Sequence, residues 1–283
     1  LNNTHQGNQI PEPMVDNCWK DFQLSVGEGI WLHFGERAIG ICRREEHWRF
    51  HSIPKDPPFE PEQPAMMLLK QTDESQFDID CCRQRSFSLD NSRIRLRPAL
   101  PDRDVIASPI TPITLTSGAK VTLYISLPLW LSIEQPCNDT PLVLFETPIF
   151  RPSDTWFGSN TQTGRLAYAS QTNARVHIAE LPLRQYRAVT PLHLAYHGEN
   201  SIPFSRLAIP APRLSLFAAS DGMLWTNEVS MTLKHEQDNI TVKLGDAAPH
   251  EAGHDCQLLT TPRISSVMED WISTFDKWVG RMT

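Results

Sequence analysis

The stretch VTLYISLPLWLSI, residues 121–133, decides the fold. Val121, Leu123, Ile125, Leu127, Leu129, Leu131 and Ile133 take every second position. A strand turns alternate side chains to opposite faces, so these seven share one face, with Thr122, Tyr124, Ser126, Trp130 and Ser132 on the other. A helix would need apolar residues three and four apart. Pro128 has no amide hydrogen to give a ladder, so the run is either an edge strand or two strands meeting at a bend, as at corners where a chain changes sheet.

The same period extends outward. Upstream, Phe22, Leu24 and Val26, then Ile30, Leu32 and Phe34, then Ile39 and Ile41 alternate in short pieces. Gly27, Gly29 and Gly35-Glu36-Arg37 punctuate them, which reads as a meander of hairpins. Downstream come Val176 and Ile178, Leu192, Leu194 and Tyr196, Leu214 and Leu216, Val229, Met231 and Leu233, and Ile240, Val242 and Leu244. Asp221-Gly222 and Gln237-Asp238-Asn239 supply turns. Twenty-three prolines would break helices throughout but suit short strands joined by rigid turns. The segment from Pro54 to Asp80 opens with five prolines in eleven residues and reads as a long loop with one short helix through Ala65 to Lys70.

The end of the chain departs from this pattern. Ile264, Met268, Trp271, Phe275, Trp278 and Met282 follow four-three-four-three-four spacing, joined by Val267, Ile272 and Val279. This predicts an amphipathic helix over 264–282 after Pro262, capped by Ser265 or Ser266. An apolar face with two tryptophans needs a cover: its own β-domain, a second copy of the chain, or a partner protein. The expected architecture is all-β, two sandwich-like antiparallel units. The first spans 15–145 with a Pro-rich insertion at 54–80, the second spans 146–262, and the helix of 263–283 closes them.

Composition excludes some functions. A net charge of −7, a pI near 5.8 and no lysine-rich run argue against nucleic acid. No apolar run approaches the roughly 18 residues of a spanning helix, and LNNTHQGNQIPEP carries no signal-peptide pattern, so the expected compartment is the cytoplasm. Cys18, Cys42, Cys81, Cys82, Cys137 and Cys256 form no disulfide framework and no CxxC pair, and free thiols are expected. The sequons at Asn2, Asn138 and Asn239 have meaning only in a secreted protein.

Three constellations could carry chemistry. His250-Glu251-Ala252-Gly253-His254 satisfies HExxH, in which two histidines one α-helical turn apart bind zinc and the Glu activates water. Its context is poor: Gly253 interrupts it, no apolar stripe anchors a helix, and Glu269 is the one evident downstream carboxylate for a third ligand. The second is RPSDTWFGSNTQTGRLAY, residues 151–168. Arg151, Asp154, Trp156, Asn160, Arg165 and Tyr168 there combine hydrogen-bonding groups with aromatic platforms. Such a set can hold sugar hydroxyls, a carboxylate or a partner surface, but it contains no recognisable acid–base pair. The alternative is a loop pinned into the core by Trp156 and Phe157. The third is the ladder Arg93, Arg95 and Arg97 with Arg103, and a second patch at Arg184 and Arg187. Both read as solvated charge paired with acids on neighbouring strands, or else as a surface for an acidic partner or anionic lipid headgroups. No nucleotide loop or nucleophile triad is evident, so no cofactor is expected.

The phrases RPALPDR (97–103), LYISLPLWLSIE (123–134), RPSDTWFGSNTQTGRLAYAS (151–170), RAVTPLHL (187–194), RLAIPAPRLSLF (206–217) and DGMLWT (221–226) resemble a prokaryotic family known as domain of unknown function 432. The likeness covers about two-thirds of the chain and is most specific at Asp154 to Gly158. It implies no activity and assigns no residue. It does imply genomic company with small mechanosensitive channels, and hence a non-enzymatic binding or accessory role beside such a channel. The competing expectations are a zinc hydrolase at HEAGH and a carbohydrate-binding β-protein.

Overall fold

The computed structural model describes the chain apart from residues 1–18, 35–36, 55–65, 74–81, 88–91, 110, 112, 138–140, 158–163, 170–173, 181–185, 205, 235–239 and 266–283. Its strands are β1 (Asp21–Gln23), β2 (Glu28–Phe34), β3 (Arg37–Arg43), β4 (His47–Pro54), β5 (Met66–Asp73), β6 (Cys82–Phe87), β7 (Arg93–Ala99), β8 (Val105–Ala107), β9 (Ile113–Leu115), β10 (Lys120–Pro128) and β11 (Trp130–Gln135). The second half adds β12 (Leu142–Pro148), β13 (Ser153–Phe157), β14 (Arg165–Ala169), β15 (Arg187–Tyr196), β16 (Ile202–Phe204), β17 (Leu207–Ile209), β18 (Leu216–Ala218), β19 (Leu224–Thr226), β20 (Val229–Leu233), β21 (Ile240–Leu244) and β22 (Gln257–Thr260). The protein is all-β. Three short 3-10 turns, Ile178–Glu180, Ala211–Arg213 and His250–Ala252, are the helical elements among the described residues.

The 121–133 run is two strands at a sheet-changing corner. β10 pairs with β15 in a seven-stranded sheet, whereas β11 lies between β7 and β12 in a four-stranded one. Leu129 alone separates them. The alternation continues across the corner: Leu123, Ile125, Leu127, Leu129, Leu131 and Ile133 are all fully buried. In β11 the other face is covered as well, since Trp130 and Ser132 are also buried. Pro128 closes the β10 ladder opposite Arg187, where a missing amide costs least.

A second proline shapes the large sheet. Pro191 stands in the middle of β15 opposite Tyr124, and beside this point the next lane breaks. β19 runs parallel to Ala188–Val189, and β20 takes over parallel to Leu192–Tyr196. The buried Thr226 hydroxyl sits 2.8 Å from that of Thr190 and 2.9 Å from the Asn227 carbonyl, so polar groups at the break are satisfied. β18 and β22 extend the β19 side, and β21 extends the β20 side.

The remaining sheets are β5–β2–β3–β4–β6, β13–β14–β8–β17 and the pair β9–β16. Most pairings are antiparallel, with β8–β14, β15–β19 and β15–β20 parallel. Pairings β8–β14, β8–β17, β9–β16 and β10–β15 cross residue 145, and one contiguous set of buried side chains runs from Leu24 to Val242. The five-stranded sheet meets the β7–β11–β12 sheet where Phe50 stacks on Phe145, ring centroids 4.9 Å apart and planes 4° from parallel. Beside that stack, Gln84 Nε2 and Ser86 Oγ each donate to the Leu144 carbonyl at 2.6 Å, so side chains rather than another strand occupy the β12 edge.

Two local expectations need correction. Within the helix expected over Ala65 to Lys70, the described residues from Met66 on form no helix: Met66–Asp73 is β5, laid antiparallel along β2. Four apolar residues without a cap are as compatible with a strand, and the edge of β2 supplies the ladder. Val176 and Ile178 are not strand residues. Val176 is exposed, and Ile178 opens a 3-10 turn after Ala174 and Arg175 bridge to Pro109 and Tyr124. The predicted helix 264–282, and with it the 263–283 unit, falls almost wholly on 266–283, outside the described residues.

Candidate functional site

The 151–168 stretch is a hairpin. β13 pairs with β14 in the register Asp154 opposite Tyr168, Trp156 opposite Leu166 and Phe157 opposite Arg165. Strand alternation therefore puts Asp154, Trp156, Leu166 and Tyr168 on one face and Thr155, Phe157, Arg165 and Ala167 on the other. Phe157 and Ala167 are buried, pinning the second face to the core. Of the two aromatics expected to act as pins, Phe157 does so, while Trp156 is 47% exposed beside Leu166 at 43%. Asn160 lies outside the described residues.

The polar groups are held by partners from the loop before β8. Asp154 accepts from Arg103 Nη1 at 2.9 Å and from Arg151 Nη2 at 2.7 Å. The Tyr168 hydroxyl donates to Asp102 Oδ1 at 2.8 Å, with the Arg103 guanidinium 5.2 Å above its ring and Trp130 tilted against it at 5.3 Å. Burial, followed by the hydrogen bond and charge of Asp102, pushes the Tyr168 phenol up to about 12. On the other face Arg165 pairs with the buried Asp104 at 2.5 Å. Burial raises the Asp104 carboxyl against the opposing pull of Arg165 and Arg213. Arg151, Asp154, Arg165 and Tyr168 are thus brought into one neighbourhood together with Arg103, which the sequence placed with the arginine ladder, and with Asp102 and Asp104, which sequence reading did not single out. Those partners lie about fifty residues upstream, and no local pattern announces them. Three acids balance three arginines, and the phenol is fixed in its protonated form. The arrangement orders a surface.

Two residues of the arginine ladder are also paired. Arg93 and Arg95 both grip Asp21, at 2.6 and 2.7 Å, and hold its carboxyl below the usual range, Arg95 most strongly. Arg187 binds the hydroxyl and carbonyl of Ser126, each at 2.6 Å. Arg184 lies outside the described residues.

HEAGH does not form the α-helix that HExxH requires. His250–Ala252 is a single 3-10 turn, ended by Gly253 at φ +83°, a left-handed conformation suited to glycine. Glu251 turns inward to accept from the Tyr124 hydroxyl at 2.9 Å and to meet His250 Nδ1 at 3.0 Å, while the His250 side chain is 85% exposed. No group of three or more His, Cys, Asp or Glu side chains is arranged to hold a metal among the described residues. Glu269 lies outside them.

One further constellation escaped the sequence reading. Thr122 Oγ1 lies 3.0 Å from His193 Nδ1, and His193 Nε2 lies 3.2 Å from Glu228 Oε2. This hydroxyl–imidazole–carboxylate chain arises because β10 and β15 set Thr122 opposite His193, a relation 71 residues apart that spacing cannot reveal. It lies mid-sheet, where neighbouring amides serve the ladders rather than an oxyanion, so it works as a cross-strand fastener.

The family model of a protein of unknown function, DUF432, matches residues 18–277. The chain belongs to the DUF432 family. The match contains the whole β13–β14 hairpin, the loop before β8 that supplies its partners, and both strands of the 121–133 corner. No curated protein and no solved structure matches the chain. The family's description names no activity or ligand.

Proposed function

We propose that this chain is a non-enzymatic binding protein, an accessory of the cytoplasm that docks through the outward face of the β13–β14 hairpin. A membrane channel of mechanosensitive type is the partner that its family resemblance implies. The observation that carries the reading is the exposed cross-strand pair Trp156 and Leu166, framed by Arg151, Asp154 and Arg103 already locked to one another. An apolar centre containing tryptophan, ringed by ordered charge, is the composition of a binding hot spot. A proton-transfer site would need a titratable group near neutrality, and the buried Tyr168 phenol is far from it. The apolar spacing of 264–282 offers a second surface of the same class.

The test is co-purification of the full chain with a tagged channel of this type from detergent-solubilised membranes. The wild-type chain should be retained, and Trp156→Ala with Leu166→Ala should cut retention about tenfold or more. Equal retention of both forms would remove the hairpin from the interface, and no retention of either would remove the channel.

A further inference from the structure

Val189 of β15, Trp225 of β19 and Phe217 of β18 stand opposite one another in register and share one face of the large sheet. With Ala219 and Ala252 they make a small buried cluster separate from the main one, walled by Tyr124, Ile178 and Met223. Its cover is the connection from β21 to β22, which travels by way of β10, where Glu251 accepts from the Tyr124 hydroxyl at 2.9 Å. Within this strap, Ala248–Cys256, little apolar surface meets the floor: Ala252 is buried there, and Ala248 and Cys256 pack beside it. An alanine buries one methyl group, so the closed position depends more on hydrogen bonds than on apolar burial. The bond from Tyr124 ties the strap to the sheet. The others close the strap on itself: the amides of Ala252 and Gly253 donate to the carbonyls of Pro249 and His250, each at 3.1 Å, and Cys256 Sγ donates to the Ala252 carbonyl at 3.1 Å. Gly253 holds φ +83°, and nothing lies within 4 Å of the place a Cβ would take. Beneath the strap Trp225 is 1% exposed, and its Nε1 has no hydrogen-bond acceptor among the described residues. A buried N–H without an acceptor favours any arrangement that supplies one.

We propose that Ala248–Cys256 is a displaceable strap over a ligand floor: when it lifts, Val189, Phe217 and Trp225 take a small apolar molecule whose acceptor oxygen receives the Trp225 Nε1–H. The floor supplies aromatic and branched surface with a single donor, and the strap answers it with alanine methyl groups and no acceptor. A ligand of this class makes both contacts that the strap leaves unmade. Because it binds only the open form, its apparent affinity follows the fraction of chains whose strap is lifted.

The experiment uses the full chain, amide hydrogen exchange at low denaturant, and the dye anilinonaphthalene sulfonate, an apolar ring system with acceptor oxygens. In the wild-type chain the amides of Ala252 and Gly253 should exchange through a local opening, faster than those of β15, which wait for global unfolding. Tyr124→Phe removes the bond between strap and sheet and should speed exchange at Ala252 and Gly253 about fivefold, with β15 unchanged. Dye affinity should rise by the same factor, because both measurements read one opening equilibrium. Adding Trp225→Phe to Tyr124→Phe keeps an aromatic floor without the donor and should weaken the dye about fivefold. Exchange of the strap amides only together with β15, or the same dye affinity in Tyr124→Phe as in the wild-type chain, overturns the strap. Undiminished dye affinity after Trp225→Phe overturns the assignment of the ligand to that donor. Should Tyr124→Phe loosen the whole sheet, seen as faster exchange in β15, Gly253→Ala is read by the same criteria, since a side chain at that positive φ strains the closed turn alone.

Discussion

Tyr168 shows how one residue can be chemically quiet and structurally central. Its hydroxyl is tied to Asp102, its ring lies under Arg103 and against Trp130, and the phenol is raised to about 12 from an ordinary 10.0. An acidic group whose pKa is raised by folding contributes stability that is whole below the unfolded value and is lost as pH rises through the folded one. The contribution of Tyr168 should therefore hold up to about pH 10 and disappear by about pH 12. In a phenolate absorbance titration of the folded protein Tyr168 and Tyr124, both raised by burial and then by a neighbouring carboxylate, should ionise late, and Tyr168→Phe should delete one of those late components. The same substitution should lower stability by about 1–2 kcal/mol, read from the denaturant midpoint at constant slope, because it leaves a carboxylate without its donor. The sequence marked Tyr168, Asp154 and Arg165 as worth attention through composition alone. It could not mark Asp102 and Asp104, or join Arg103 to this group rather than to the arginine ladder, because the β8–β14 pairing that brings them close joins segments about sixty residues apart.

Among the elements, strands with one-sided alternation were the most legible. The 121–133 run, the alternation in β2 and β3, and the β20 and β21 pieces all follow from parity, because burying one face fixes the register. Where parity was short or both faces were covered, the reading failed: a short helix was expected through Ala65 to Lys70 where β5 lies, and Val176–Ile178 looked like a strand. The turn after β15 carries a constraint of another kind. A Cβ on Gly198 would fall 2.0 Å from the Tyr196 hydroxyl and 2.3 Å from its Cζ, and that buried hydroxyl is anchored on the Asn200 carbonyl at 2.5 Å. Gly198→Ala should therefore cost about 2 kcal/mol through displacement of the ring, measured by chemical denaturation. Gly198→Ala combined with Tyr196→Leu should recover part of the loss, since the clash is removed with the ring.

At the scale of the molecule, the sheets share one core. Phe50 and Phe145 join the five-stranded sheet to the four-stranded one, and Arg263 fastens the last described residues by donating to the Leu100 carbonyl at 2.7 Å and gripping Glu146 with both terminal nitrogens at 2.7 and 2.8 Å. Phe145→Ala should destabilise the protein by about 3–4 kcal/mol. It should shift far-ultraviolet dichroism and tryptophan fluorescence by the same amount, because the junction belongs to both sheets; separation of the two curves would mean that the sheets unfold independently. The all-β class was legible because proline frequency and period-two runs are properties of every segment. The order of strands was not, since pairings such as β10 with β15 depend on which edges meet after collapse.

The corner at Leu129 bears on how this chain tolerates changes of length. Parity runs unbroken from Leu123 through Ile133 although the two halves lie in different sheets, so one inserted residue at the corner would exchange the faces of all of β11 at once. Trp130 and Ser132 would then be driven toward the space filled by Leu131 and Ile133, with no surface available to receive the error. Variation in chain length among members of the family should accordingly gather in hairpin turns and avoid residues 128–130, a single joint whose spacing two sheets must read in common.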